Sequence, residues 1–270
     1  MNMEPLRFIG RLLKRTSVLA GALLSCMAIS AAAALLDEIQ VYIDDVRAPG
    51  ERGLELHVNT TPKGVSEPEY PGAVRNHRGL RITPEFSYGI GKDADIGLYV
   101  PTLRDGAGNW YLPGLKLRGK WILIRGDEKT GGWYLGVNGE ISNISRKFSE
   151  SRVSTEVRTI AGYRSEAWLI GVNPILAWSL SPGRRENNPE LEMAWKVSRS
   201  VAHGIALGFE YYSGMGKLRN YVPRDQQDRT LFLTADVNRA PWIFNLGIGR
   251  GQTNATDPWT IKAIFSFEFE

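Results

Sequence analysis

Along residues 259–269 the side chains alternate almost without a break. Trp259, Ile261, Ala263, Phe265, Phe267 and Phe269 fall on one face; Thr260, Lys262, Ser266 and Glu268 fall on the other. A period of two marks a β-strand whose two faces meet unlike surroundings. The pattern returns at 80–90, with Leu80, Ile82, Phe86, Tyr88 and Ile90 against Arg81, Thr83, Glu85 and Ser87. It returns at 133–141, with Trp133, Leu135, Val137 and Ile141 against Tyr134, Asn138 and Glu140, and again at 191–197 and 242–248. Twelve such segments can be placed: 51–60, 78–90, 94–101, 114–125, 132–142, 152–163, 166–178, 190–199, 203–213, 229–238, 241–250 and 258–269. Several run to about 12 residues, where soluble strands usually have about 5–6 and a tilted membrane-crossing strand needs about 9–11.

The connections alternate in length. Those at 61–77, 102–113, 143–151, 179–189, 214–228 and 251–257 are long; those at 91–93, 126–131, 164–165, 200–202 and 239–240 are short. Outer-membrane barrels have short periplasmic turns and longer outer loops. In lipid every backbone N–H and C=O needs a partner, so such a sheet has to close. The expectation is an all-β chain: a closed antiparallel transmembrane β-barrel of about 12 strands (10–14 fit the pattern) over residues 51–270, with both termini periplasmic. Trp110, Tyr111, Trp133, Tyr134, Trp168, Trp178, Tyr211, Tyr212, Trp242 and Trp259 lie near strand ends, where interfacial aromatic girdles belong. No run of 18 apolar residues follows residue 34, which excludes a helical membrane protein.

Residues 1–34 have the layout of a secretory signal peptide. Arg7, Arg11, Lys14 and Arg15 form a positive start, residues 18–30 an apolar stretch, and the alanines at 31–34 a cleavage region ending at Ala33 or Ala34. An uncleaved anchor and a lipid-modified Cys26 compete for the same segment. The whole chain has 33 Lys+Arg against 29 Asp+Glu; without residues 1–34 it has 29 against 28. The basic excess thus belongs to the signal, and nucleic acid is not an expected partner. Cys26 is the only cysteine, so there is no disulfide framework or cysteine-rich metal site. Residues 35–50, LLDEIQVYIDDVRAPG, fit a periplasmic lead-in, an extra strand beside 53–60, or a segment entering the lumen.

The signal segment and the terminal phenylalanines resemble those of Gram-negative outer-membrane proteins. Their last strand commonly ends in an aromatic residue read by the barrel-assembly machinery; here Phe265, Phe267 and Phe269 match, and Glu270 departs by occupying the final position. DEIQVYIDDVRAPGERGLELHVNTTP and GLRITPEFSYGIGKDADIGLYVP also resemble poorly characterised proteobacterial outer-membrane barrels, distantly similar to those of phenol-degradation and metal-resistance clusters. The resemblance implies location and architecture. Outer-membrane lipid, lipopolysaccharide and the assembly machinery are then the expected partners.

With the apolar face in lipid, the polar face lines the lumen. It carries Glu85, Lys116, Arg118, Lys120, Glu140, Glu156, Arg158, Glu192, Lys196, Glu210 and Asp236, besides Lys262 and Glu268. Isolated charges buried in a packed sandwich are costly, whereas in a barrel they pair or stay hydrated. Lys116, Arg118 and Lys120 share one face of one strand. That ladder either draws anions into a channel or pairs with lumenal glutamates and seals it. Passive passage of small polar or charged solutes is the expected function, and a non-conducting structural or binding barrel is the alternative. Outer-loop residues such as Tyr70, Trp110, Arg184, Arg185, Arg219 and Arg224 either contact ligand or lipopolysaccharide, or are plain solvated groups. A lipid hydrolase would need a nucleophile beside a base. Of His57, His77 and His203, only His57 shares a polar face with a hydroxyl, Ser87 on the next strand. No HExxH, GxSxG, CxxC or glycine-rich phosphate loop is present. No catalytic set, metal or cofactor is therefore expected.

Overall fold

A computed structural model describes residues 38–269; the proposed signal segment 1–34 lies outside the described residues. The strands are β1 (Arg52–Lys63), β2 (Leu80–Gly91), β3 (Ala94–Tyr99), β4 (Thr102–Arg104), β5 (Trp110–Tyr111), β6 (Gly114–Ile124), β7 (Gly132–Ile144), β8 (Val153–Arg164), β9 (Trp168–Ser179), β10 (Glu190–Ala202), β11 (Ile205–Lys217), β12 (Asn220–Tyr221), β13 (Asp228–Arg239), β14 (Trp242–Gly251) and β15 (Trp259–Phe269). All pairings are antiparallel, and β1 pairs with both β2 and β15. Leu54 stands opposite Phe86 on one side and Phe267 on the other. The sheet closes into a ring of twelve staves, because β4 resumes β3 beyond Val100 and Pro101 and pairs with the same neighbour, β2. Proline has no N–H for the ladder, which accounts for a break at that point. β5 and β12 are two-residue ribbons on the long-loop side.

The burial pattern is inside out relative to a water-soluble sandwich. Trp133 is 73% exposed and Leu233 60%, whereas His57 is 0% and Lys262 1%. Lipid takes the apolar band, and the lumen takes the polar face. Alternation therefore sets the register all round: a one-residue slip would turn a whole strand's charges into lipid. Two expected girdle residues are corrected. Tyr134 and Tyr212 face the lumen, where their register partners Gly162 and Ala194 leave room for the rings. The Tyr134 hydroxyl donates to the Ile170 carbonyl at 2.9 Å. Trp110, Trp133, Trp168, Trp242 and Trp259 are exposed.

Residues 38–50 form no strand. Both edges of β1 are taken by β2 and β15, so the extra-strand placement of this segment does not occur. It runs instead inside the barrel. Asp44 accepts from the Gly126 amide at 2.9 Å, at the short-turn rim, while residues 38–40 face the long-loop side beside Arg158 and Lys262. Ile39, Val41, Tyr42 and Asp44 are buried. Two glycines make room: a Cβ on Gly89 would collide with the Ala48 carbonyl, and one on Gly171 would sit 3.3 Å from Val41 Cγ1.

Candidate lumenal site

The basic ladder is where alternation puts it, and register supplies its counter-charges. Arg118 faces Glu140 across β6–β7 and Gly97 across β3–β6. The empty Gly97 position lets the guanidinium reach Glu85 on β2, with Nε donating to Oε1 at 2.6 Å, and Asp95 on β3. Lys116 Nζ is 3.4 Å from Glu140 Oε1, and Lys120 Nζ is 3.9 Å from Asp95 Oδ2. The ladder is thus neutralised in place, and the expectation that it draws anions loses its basis.

A second centre stands across the lumen. Lys196 Nζ donates to Glu210 at 3.1 Å and to Asp236 at 2.8 Å. Lys262 also pairs with Glu210, and the Tyr212 hydroxyl donates to the same carboxylate at 2.5 Å. Asn245 Nδ2 donates to Asp236 at 2.7 Å. Glu156 receives Arg158 at 3.2 Å. Glu192 lines the outer cavities described below and makes no ion pair among the described residues. Lys262 points inward as its alternation requires; the Glu268 side chain lies outside the described ones.

Both centres grip the lumenal segment. Asn173 accepts from the Tyr42 amide at 2.6 Å and donates to the Tyr42 carbonyl at 3.0 Å, satisfying that residue's backbone as a strand neighbour would. Lys262 donates to the Ile39 carbonyl at 2.9 Å. The Tyr42 ring lies between Arg158, 4.3 Å from its centroid, and Lys120, at 5.4 Å. Its hydroxyl meets that of Tyr99 at 2.5 Å. Arg164 pairs with Asp44 at 3.0 Å, and the Arg47 amide donates to Asp95 at 3.1 Å. Tyr42, Arg47, Asp95, Tyr99 and Asn173 are the site residues that sequence reasoning missed. For Asp95 and Tyr99 the signal was present, since they continue the lumenal face of β3 with Gly97.

His57 and Ser87 do not meet. His57 stands opposite Thr83, four residues along β2 from Ser87, and its Nε2 lies 3.3 Å from Glu85. Ser87 accepts from Arg47 at 3.2 Å. Glu55, His57 and Glu85 bring ligand-type atoms within 4.8 Å of one another. Arg118 on Glu85, and Arg47 at 3.6 Å from Glu55, already supply the positive charge there.

Toward the long loops the lumen widens. A cavity of about 350 Å³ has residues 38–40 in its wall, and a second of about 160 Å³ lies beside it. Both are lined by Lys116, Glu156, Glu190 and Glu192.

No family model matches the sequence, and no curated protein does. Solved structures do match in shape. An outer-membrane channel from Pseudomonas putida F1 is 12% identical, with a TM-score of 0.58, over 86% of this chain and 100% of that one. The NanC porin is 9% identical, with a TM-score of 0.47, over 81% and 99%. Outer-membrane phospholipase A of Escherichia coli is 10% identical, with a TM-score of 0.41, over 90% and 99%. At these identities the likeness is one of fold. Closed ring, apolar belt and unequal rims together make the chain an outer-membrane β-barrel, in a lipid and lipopolysaccharide setting, with its short turns in the periplasm.

Proposed function

We propose that this barrel is a channel for small polar or charged solutes, closed at mid-height by residues 38–48 and opened when that segment moves. The observation that carries the reading is how the segment is held. Its backbone is bound by side chains of the wall, from Asn173, Lys262, Arg158 and Asp95, and by no strand ladder. Such bonds break one by one without opening the sheet, whereas withdrawal of a stave would bare two edges in lipid. The lumenal wall left behind is polar, and the outer cavity already leads down to it. A second reading, a barrel that binds without conducting, has the dense packing of the centre in its favour: Glu85, Glu210 and Lys262 are at most 2% exposed.

Planar-bilayer recording separates the two. The refolded barrel should show brief, infrequent openings, and Asn173→Ala, which deletes both anchors of Tyr42, should lengthen them. A folded barrel that stays silent with residues 38–48 deleted would leave the binding reading.

A further inference from the structure

The larger outer cavity has an uneven wall. Eight carboxylates line it against three cationic side chains. Two of those cations are engaged: Arg158 with Glu156 and with Glu38, at 3.2 and 3.8 Å, and Lys116 with Glu140 at 3.4 Å. Glu192 and Asp228 make no ion pair among the described residues. Register sets these two on either side of one position: Glu192 stands opposite Gly214, and Gly214 stands opposite Asp228. At that position the strand between the carboxylates carries no side chain. Beneath them the lining turns apolar, with Ile39, Ile175, Ala194 and Phe232 each at most 5% exposed. A further group points to a ligand independently. The Glu38 side chain is 3% exposed and lines the same cavity; its Oε1 has Arg158 at 3.8 Å, beyond hydrogen-bond distance, and accepts no hydrogen bond. A buried carboxylate oxygen without a donor is costly, and a donor-bearing ligand relieves it.

We infer that this cavity binds an organic cation. An ammonium or guanidinium head lies between Glu192 and Asp228, over Gly214, and an apolar body rests on Ile175, Ala194 and Phe232. A bare metal ion fits less well. Among the described residues, the only three metal-ligating side chains with converging atoms are Glu55, His57 and Glu85, which do not line this cavity. Hard divalent ions ask for about six or more converging oxygens. A cation bridging two separated carboxylates satisfies both with charge-assisted bonds. An anion meets repulsion, and a neutral isostere leaves the charges unpaired. The inference deepens the channel reading and rests on it for the approach of solute from the long-loop side.

The test uses three probes of one shape: benzylammonium, benzyl alcohol and benzoate. Each is titrated into the refolded barrel in lipid vesicles by calorimetry, with heat-modifiable migration confirming the fold of every variant. Benzylammonium should bind saturably, and the other two should not. Glu192→Gln and Asp228→Asn should each weaken it about fivefold or more. Gly214→Met keeps both charges and puts a side chain in the gap; a Cβ there lies 3.6 Å from Asp228 Cβ, an ordinary contact, and binding should be lost. Equal binding of all three probes, or benzylammonium affinity unchanged by all three substitutions, would overturn the inference. Conductance is recorded on the same preparations. Binding without conductance after release of residues 38–48 rejects the channel alone, and conductance without benzylammonium binding rejects the cation site alone.

Discussion

Replacing Glu210 by glutamine removes one carboxylate, which leaves the buried Lys262 ammonium without an ion pair among the described residues and Lys196 with Asp236 alone. Lys196 Nζ lies 3.1 Å from Glu210, and Lys262 pairs with its other oxygen. At an effective dielectric of about 20, a 3.1 Å contact between unit charges amounts to about 5 kcal/mol. Desolvation of the ions offsets much of it, and breaking a buried pair by removing one partner costs about 3–5 kcal/mol. Glu210→Gln should therefore lower unfolding stability by about that amount. The assay is guanidinium unfolding in lipid vesicles, followed by tryptophan fluorescence. Adding Lys262→Met removes the stranded charge with a side chain of similar volume, so the double variant should recover at least about half the loss. It also deletes the donor to the Ile39 carbonyl, so it should loosen the lumenal segment while the sheet gains stability. A Glu210→Gln barrel within about 0.5 kcal/mol of the parent would refute the reasoning. It would mean that water, and not the two lysines, satisfies that carboxylate.

Three further outcomes are expected. Tyr42→Phe removes the hydroxyl contact with Tyr99 but keeps the ring between Arg158 and Lys120, so channel openings should lengthen only slightly; Tyr42→Ala should lengthen them strongly. Gly89→Val drives a side chain into the Ala48 carbonyl and should expose residues 47–48 to added protease in vesicles whose barrel still migrates as folded. Asp105 in the loop between β4 and β5 accepts from the Asn109 side chain and from the Asn109, Ala107 and Tyr111 groups, which hold its pKa down at about 2. A depressed folded pKa means that the turn's stabilisation is complete above the ordinary carboxylate range and is lost as pH falls toward about 2. An NMR titration showing the Asp105 carboxyl protonating near pH 4 would contradict this.

The barrel was legible because its two faces meet different media. Phe86, Tyr88 and Ile90 against Glu85 and Ser87 report that difference residue by residue, and the unequal connections gave the orientation. Residues 38–48 were legible only as one of three placements, the segment entering the lumen. Ile39, Val41 and Ile43 alternate with Gln40, Tyr42 and Asp44 like a strand, but the segment is surrounded by wall, so both Val41 and Tyr42 are buried. What holds it comes from far along the chain: Asn173 is 131 residues from Tyr42, and Lys262 is 223 from Ile39. The lumenal ladder was half legible. Alternation placed Lys116, Arg118 and Lys120 on one face, while their neutralisation depends on which strands close beside them and on the gap at Gly97. The aromatic girdle failed at Tyr134 and Tyr212 for a related reason. Each adjoins an aromatic residue of the opposite face: nearness to a strand end marked both members of the pair, whereas the alternation that sets Tyr134 with Asn138 and Glu140 already turned it inward.

The most direct test of the closed lumen is a tether. Val41→Cys with Gly171→Cys places two thiols where a Cβ at position 171 lies 3.3 Å from the valine side chain, within reach of a disulfide. Cys26, the one native cysteine, falls in the expected signal peptide. Single-channel recording before and after reduction then compares a fixed segment with a free one in the same molecule. The account predicts a silent oxidised barrel and openings once the bond is reduced. Equal conductance in the two states would show that solutes pass by a route that residues 38–48 do not close.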